Sequence, residues 1–187
     1  MRESLRQCVP GGLEDLEVYR QEVVHGVHDH WIDPKAGKWE YTYHERLFCY
    51  RVPGAGVFDQ IARCVDKLAE APHTRRAQAV TWQVWNDLGI SDPACLQRLW
   101  FRIQDDRLYL NVHMRSNDAY KAAYMNMFAF TDIQRMVAGQ LTERLGVIGR
   151  PSRRPTSSAT IRWMSVKANM FMNEALKASL ERMWTFM

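Results

Sequence analysis

The residues best suited to covalent chemistry lie between positions 73 and 126. Cys95 follows Asp92-Pro93-Ala94, a break in the chain just before an apolar run. Arg75 and Arg76 form a basic pair twenty residues earlier, and Arg115-Ser116-Asn117-Asp118 form a polar run twenty residues later. Asn126 stands alone among Met125, Met127 and Phe128. Arginine forks bind the oxygens of phosphates. A hydroxyl and free backbone N–H groups where a strand feeds a helix complete an anion site. A cysteine beside such positive charge is expected to have a lowered pKa and to act as a nucleophile. Taken singly, each feature has an ordinary structural use. Arg75-Arg76 would be a solvated pair, Cys95 a small buried hydrophobe, RSND a helix cap and Asn126 a satisfied core amide. Their joint spacing is what argues for a site.

These residues need elements to hold them. Leu13, Leu16, Tyr19, Val23, Val24 and Val27 recur at helical spacing, which predicts a helix over about 13–28. A turn-rich loop, HDHWIDPKAGKW, follows. The aromatic run 39–51 (WEYTYHERLFCYR) reads as a strand. Val57, Ile61, Val65 and Leu68 mark an amphipathic helix ending before Pro72. Strands are expected at 77–83 and 97–103, with Asp105-Asp106 turning into a hairpin partner at 107–114. A long helix is expected over 118–144, with Asp118 and Asn126 two turns apart on one face. Residues 149–158 (GRPSRRPTSS) are loop by composition. IRWMS reads as another strand and 172–184 as a last helix. Strands and helices mix without strict alternation, so the fold class is α+β, a mixed sheet with flanking helices.

The 187 residues are 47% hydrophobic and carry a net charge of +4. That is enough for one domain with a real core, and no linker appears before residue 149. The charge is too small to argue for nucleic acid and suits a small anion equally well. Cys8, Cys49, Cys64 and Cys95 form no CxxC pair, which excludes a zinc knuckle and fits free thiols in a reducing cytoplasm. MRESLRQCVPGG contains no apolar run of signal-peptide type, and no run reaches membrane-spanning length. His25, His28 and His30 with Asp29 lack a well-placed fourth ligand, so no metal is expected. Arg150, Arg153 and Arg154 read as a solvated loop.

The stretch DPACLQRLWFRIQDDRLYLNVHMRSNDAYKAAYMNMFAF resembles the heart of the thymidylate synthase family. Its pattern is a cysteine after a proline, a strand hairpin, an R-S-x-D run and an asparagine in the next helix. Arg115, Asp118 and Asn126 follow Cys95 by 20, 23 and 31 positions, which match the family without a gap. The pair in HTRRAQAVTW and the tyrosine in YTYHERL also fall into place. The likeness covers about residues 39–145, and its short length is similar to the archaeal-type branch.

The resemblance implies a homodimer, formed through the sheet, that methylates dUMP with 5,10-methylene-tetrahydrofolate or a related pterin. It implies that Cys95 adds to C6 of the base. Arg115 and Ser116 would hold the phosphate, with Arg115 also activating the thiolate. Arg75 and Arg76 would reach into the partner's phosphate site. Asp118 would contact the pterin, and Tyr43 would assist proton removal at C5. Asn126 would read the base edge: an amide can donate to O4 and accept from N3–H of uracil. The family's cytosine-directed hydroxymethylases place an aspartate there, so asparagine favours dUMP over dCMP. Trp31 would match a tryptophan near the folate, and Glu22 a glutamate that organises waters.

The chain departs from the family in its last forty residues, about 147–187. A gapless alignment puts Asn169 and Phe171 where the family has a sugar-binding histidine and tyrosine. Asn169 can still hydrogen-bond a hydroxyl; Phe171 cannot. Leu96 follows the cysteine where many relatives have histidine. A pyrimidine nucleotide hydroxymethylase, or a non-catalytic nucleotide- or RNA-binding paralogue, is the alternative reading.

Overall fold

The computed structural model describes residues 12–119, 122–145 and the backbone of 161–163. Asn169, Phe171, the loop 149–158 and the expected helix 172–184 lie outside the described residues.

Helix α1, Leu13–His25, buries Leu16, Val23 and Val24. It ends at Gly26, whose φ of 66° lies in the left-handed region. A Cβ there would sit 2.2 Å from His44 Nδ1, so glycine is needed twice over. The predicted helix stops three residues early because of this cap.

The strand expected over 39–51 is a correction. Tyr43–Phe48 form a helix, α2, and only Tyr50–Val52 are extended, as β1. Thr42 accepts the Glu45 N–H at 2.9 Å. The Thr-x-x-Glu pattern of a helix start therefore overrides the β preference of the aromatic residues. Asp29 fastens the same corner, accepting from the Thr42 hydroxyl at 2.5 Å and pairing with His44 at 2.6 Å. Strand β1 pairs with β2, Gly56–Phe58, around a tight turn. Helix α3, Gln60–Glu70, is capped by Asp59 and buries Ile61, Cys64, Val65 and Leu68.

The main sheet runs β3 (Gln78–Val80), β4 (Leu96–Gln104), β5 (Arg107–Met114), β6 (Ile161–Trp163). The first three are antiparallel, and β6 is parallel to β5, so the sheet is mixed. Asp105 and Asp106 both take positive φ, as a two-residue hairpin turn requires. Alternation along β4 and β5 sorts the side chains. Leu99, Phe101, Leu110 and Val112 are buried against Phe130, Ile133, Val137 and Leu141 of α4, Ala123–Leu145. Arg98, Trp100, Arg102, Tyr109, Asn111 and His113 alternate with the buried set on the opposite face and stay partly exposed. The helix α4 begins five residues later than its apolar pattern suggests, because residues 115–119 are loop. These elements form an α+β arrangement.

Candidate active site

Cys95 sits at the entry to β4, one residue before a register irregularity between Leu96 and Arg98. The chain on both sides of it is held. The Arg115 guanidinium donates from Nε to the Ala94 carbonyl at 3.1 Å and from Nη2 to the Pro93 carbonyl. The Arg115 N–H donates to the Cys95 carbonyl at 2.9 Å. Leu96 N–H donates to the Tyr43 hydroxyl at 3.2 Å, and the Thr81 hydroxyl donates to the Leu96 carbonyl. Below this, the Arg46 guanidinium pairs with Asp87 at 2.8 Å and also donates to the Thr81 carbonyl at 3.0 Å. Arg46 and Asp87 are both buried, so this ion pair braces α2 against the segment leading to the cysteine.

The thiol itself is half-buried. Burial pushes its pKa up, Arg115 pulls it down and Asp92 pushes it up; the net direction is up. This corrects the expectation of a lowered thiol pKa. Within one protomer the arginine does not outweigh desolvation. Burial raises Cys64 further, to about 12, and also raises Cys49. An arginine pulls down on Cys95 (Arg115) and on Cys49 (Arg51), while no such pull offsets burial at Cys64.

Tyrosines ring the thiol. Tyr19, Tyr41 and Tyr43 all feel its charge. Burial pushes Tyr41 up to about 12 and drives Tyr19 and Tyr43 above the ordinary tyrosine range. All three therefore stay protonated at neutral pH and can donate. Tyr43 presents its hydroxyl from the first residue of α2, not from a strand. Asn126 is 3% exposed, and Tyr19 Oη donates to its Oδ1 at 2.5 Å. Its Nδ2 donates to Asn117 Oδ1 at 3.0 Å.

Asp118 and Asn126 are not two turns apart on one helix, because Asp118 lies in the loop. Its carbonyl accepts the N–H groups of Ala122 and Ala123 and so starts the helix. Ser116 and Asp118 are exposed beside Arg115. Arg75 and Arg76 are exposed ahead of the edge strand β3, and neither guanidinium has a side-chain partner among the described residues. The Arg75 carbonyl is tied instead to Trp100 Nε1 at 3.1 Å, on the outer face of the sheet.

A cleft of about 550 Å³ opens beside these tyrosines, lined by Tyr19, Glu22, Trp39, Tyr41, Tyr43 and Asp92 among others. Trp31, the expected cofactor contact, does not line it. Trp31 stacks on His28 at 3.6 Å and meets Trp39 edge-on at 5.2 Å, so it supports the tryptophan that does. Glu22 faces the cleft and pairs with His28 at 2.6 Å. Sequence reasoning missed Tyr19, Tyr41 and Trp39. The only signal for them was aromatic type, which packing residues share.

The sequence profile of the thymidylate synthase family matches residues 12–148. That span holds the cysteine, its arginine clamp, the tyrosines and Asn126. The chain belongs to the thymidylate synthase family. A protein of Methanopyrus kandleri, provisionally named a thymidylate synthase, is 35% identical over 79% of this chain and 69% of its own length. A Methanosarcina mazei protein of the same provisional name is 31% identical over 72% of this chain and 57% of its own. The thymidylate synthase of Haloferax volcanii is 28% identical over 72% of this chain and 44% of its own. The chain thus spans little more than half the length of several thymidylate synthase relatives. The archaeal sources agree with the archaeal flavour of its motifs. Among the described residues no helix is long and apolar enough to cross a membrane, and no group of three or more candidate ligands could hold a metal.

Proposed function

We propose that the chain methylates dUMP to dTMP, with 5,10-methylene-tetrahydrofolate or a related pterin as one-carbon donor. The observation that carries this is the convergence on Cys95. A held thiol with an arginine beside it lies near three protonated tyrosines that line an aromatic cleft, and one of them, Tyr19, holds a buried amide. The thiolate of Cys95 adds to C6 of uracil, which makes C5 nucleophilic. Arg115 favours the thiolate and, with Ser116, takes the phosphate. Asn126 reads O4 and N3–H of the base. Tyr43, its hydroxyl beside the backbone of Leu96, relays the proton that leaves C5. After transfer the sulfur is expelled and the thiol is restored.

The cleft suits a flat, ring-bearing co-substrate. Trp39 and Tyr41 offer aromatic surface, Glu22 offers a carboxylate, and Asp118 is assigned to the pterin from the loop beside Arg115. Bound there, a methylene-folate would supply both the carbon and the hydride that complete a methyl group.

The exposed arginine pair supports a homodimer: among the described residues neither Arg75 nor Arg76 has a side-chain partner. We assign them to the partner's phosphate site, with the two subunits joined through the sheet face that bears Trp100. Asn169 is assigned to the sugar hydroxyl. The chain is read as one domain, acting in the cytoplasm, without metal, membrane or nucleic acid.

Incubation with 5-fluoro-dUMP and methylene-tetrahydrofolate, followed by intact mass, tests the reading. A covalent ternary adduct on Cys95 is expected; an unmodified chain rejects catalysis of this type. The mass of the product from dUMP then separates methyl from hydroxymethyl transfer.

A further inference from the structure

An asparagine amide is a poor discriminator of pyrimidines unless its orientation is fixed. One way round it donates to O4 and accepts from N3–H of uracil. Turned by 180° about its last bond, it accepts from the amino group and donates to N3 of cytosine. Something must forbid the second pose. The side chain of Leu96, the residue after the cysteine, has no polar atom to do so.

We propose that Tyr19 is the positioning residue that fixes the Asn126 amide in its uracil-reading orientation. The proposal rests on the reading of Asn126 as the base contact and deepens it. Tyr19 Oη donates to Oδ1 at 2.5 Å across 107 residues of chain, from α1 to α4. The other end of the amide is matched as well. Nδ2 donates to Asn117 Oδ1 at 3.0 Å and lies 3.9 Å from the Met114 sulfur, which can only accept. Oδ1 keeps a lone pair for N3–H of uracil. Nδ2 places its second N–H on the Met114 thioether, a weak acceptor that the O4 oxygen of uracil can displace.

The lock is buried. Asn126 is 3% exposed, so water cannot compensate a lost partner cheaply. Tyr19 also lines the cleft, which puts the lock at the wall of the site. Burial holds the Tyr19 hydroxyl protonated through neutral pH. Its oxygen could accept from a turned Nδ2, but its own buried O–H would then lose the acceptor that Oδ1 provides, and this cost disfavours the turned pose. Asn117 alone cannot do this work, since its own amide can turn and present Nδ2 instead. Without the tyrosine hydroxyl the two amides can turn together.

The test is the ratio of dUMP to dCMP affinity, read by calorimetry on the full chain, with kcat/KM for both nucleotides alongside. Tyr19→Phe should weaken dUMP binding about fivefold, the worth of one hydrogen bond, and dCMP binding much less, so the ratio shrinks. Adding Asn117→Asp to Tyr19→Phe should restore the ratio, because a carboxylate only accepts and holds Nδ2 on its side. Thermal melting checks that each variant is folded. If Tyr19→Phe weakens both nucleotides equally, or the ratio is unmoved, Tyr19 is a packing residue and the proposal fails. Should the first variant not fold, Asn117→Asp on the wild-type background must still keep or raise the ratio; a fall overturns the proposal. Asn126→Asp is the separate control. If it leaves the ratio unchanged, the base-contact reading itself is wrong, whatever Tyr19 does.

Discussion

Arg115 grips the two residues before Cys95 and caps the cysteine's own carbonyl, so the guanidinium and the sulfur are tied through the backbone as well as by charge. Arg115→Ala should slow alkylation of Cys95 by iodoacetamide at pH 8. The sign follows from the pKa. The thiol already titrates above its ordinary value, so thiolate, and hence rate, grows as pH rises through the alkaline range. Removing the one downward influence moves that rise to still higher pH. Phosphate affinity should fall about 10–100-fold, the worth of charge-assisted hydrogen bonds. Lysine should not rescue it, because it lacks the fork. Peptide mapping of the alkylation rate against pH checks this; an unchanged profile contradicts it.

Cys95 should also be alkylated ahead of Cys64, whose thiol is buried and pushed up to about 12. Peptide mapping after brief treatment at neutral pH reads the order. Equal labelling would mean that the site does not favour its own sulfur.

Cys95→Ser should lower turnover roughly 10³-fold or more while leaving dUMP affinity little changed. Mixed with Arg75→Ala, it should regain part of the activity through hybrid dimers, each composed of one intact site. Sedimentation gives the independent check: a monomer at working concentration defeats complementation in trans.

Tyr43→Phe removes the acceptor of the Leu96 N–H, at a cost of about 1–3 kcal/mol if that group is left unsatisfied. Urea unfolding measures it. Turnover should fall by more than stability explains, with dUMP affinity nearly kept. A loss confined to stability would make Tyr43 a brace only.

Arg46 and Asp87 are 2% and 1% exposed. Asp87→Ala should cost about 3–5 kcal/mol by stranding a buried guanidinium. The double replacement Arg46→Met with Asp87→Leu should cost much less. Similar losses for the single and double variants would show that the pair does not act as a unit.

Much of the fold was legible because period is a direct readout of secondary structure. The hairpin at 96–114 and its Asp105-Asp106 turn fall where alternation and turn chemistry place them. The segment 39–51 was misread, since aromatic residues favour strands only until a capping threonine starts a helix. The late start of α4 was hidden for a related reason. Its apolar pattern continues past the point where Asp118 and the loop take the backbone elsewhere.

The spacing of Cys95, Arg115, Asp118 and Asn126, read along the chain alone, pointed to the family, which the family profile shows, and suggested the chemistry proposed above, because covalent attack on a charged nucleotide calls for those residue types. Linear order cannot say what burial does to a thiol, or which amide end meets which donor. Only the tertiary structure decided that desolvation outweighs Arg115 at Cys95, and that Trp39 rather than Trp31 lines the cleft. It also brought Tyr19 to Asn126 across the helix pair. Those outcomes depend on distances of a few ångströms between residues far apart in sequence, and no local pattern records them.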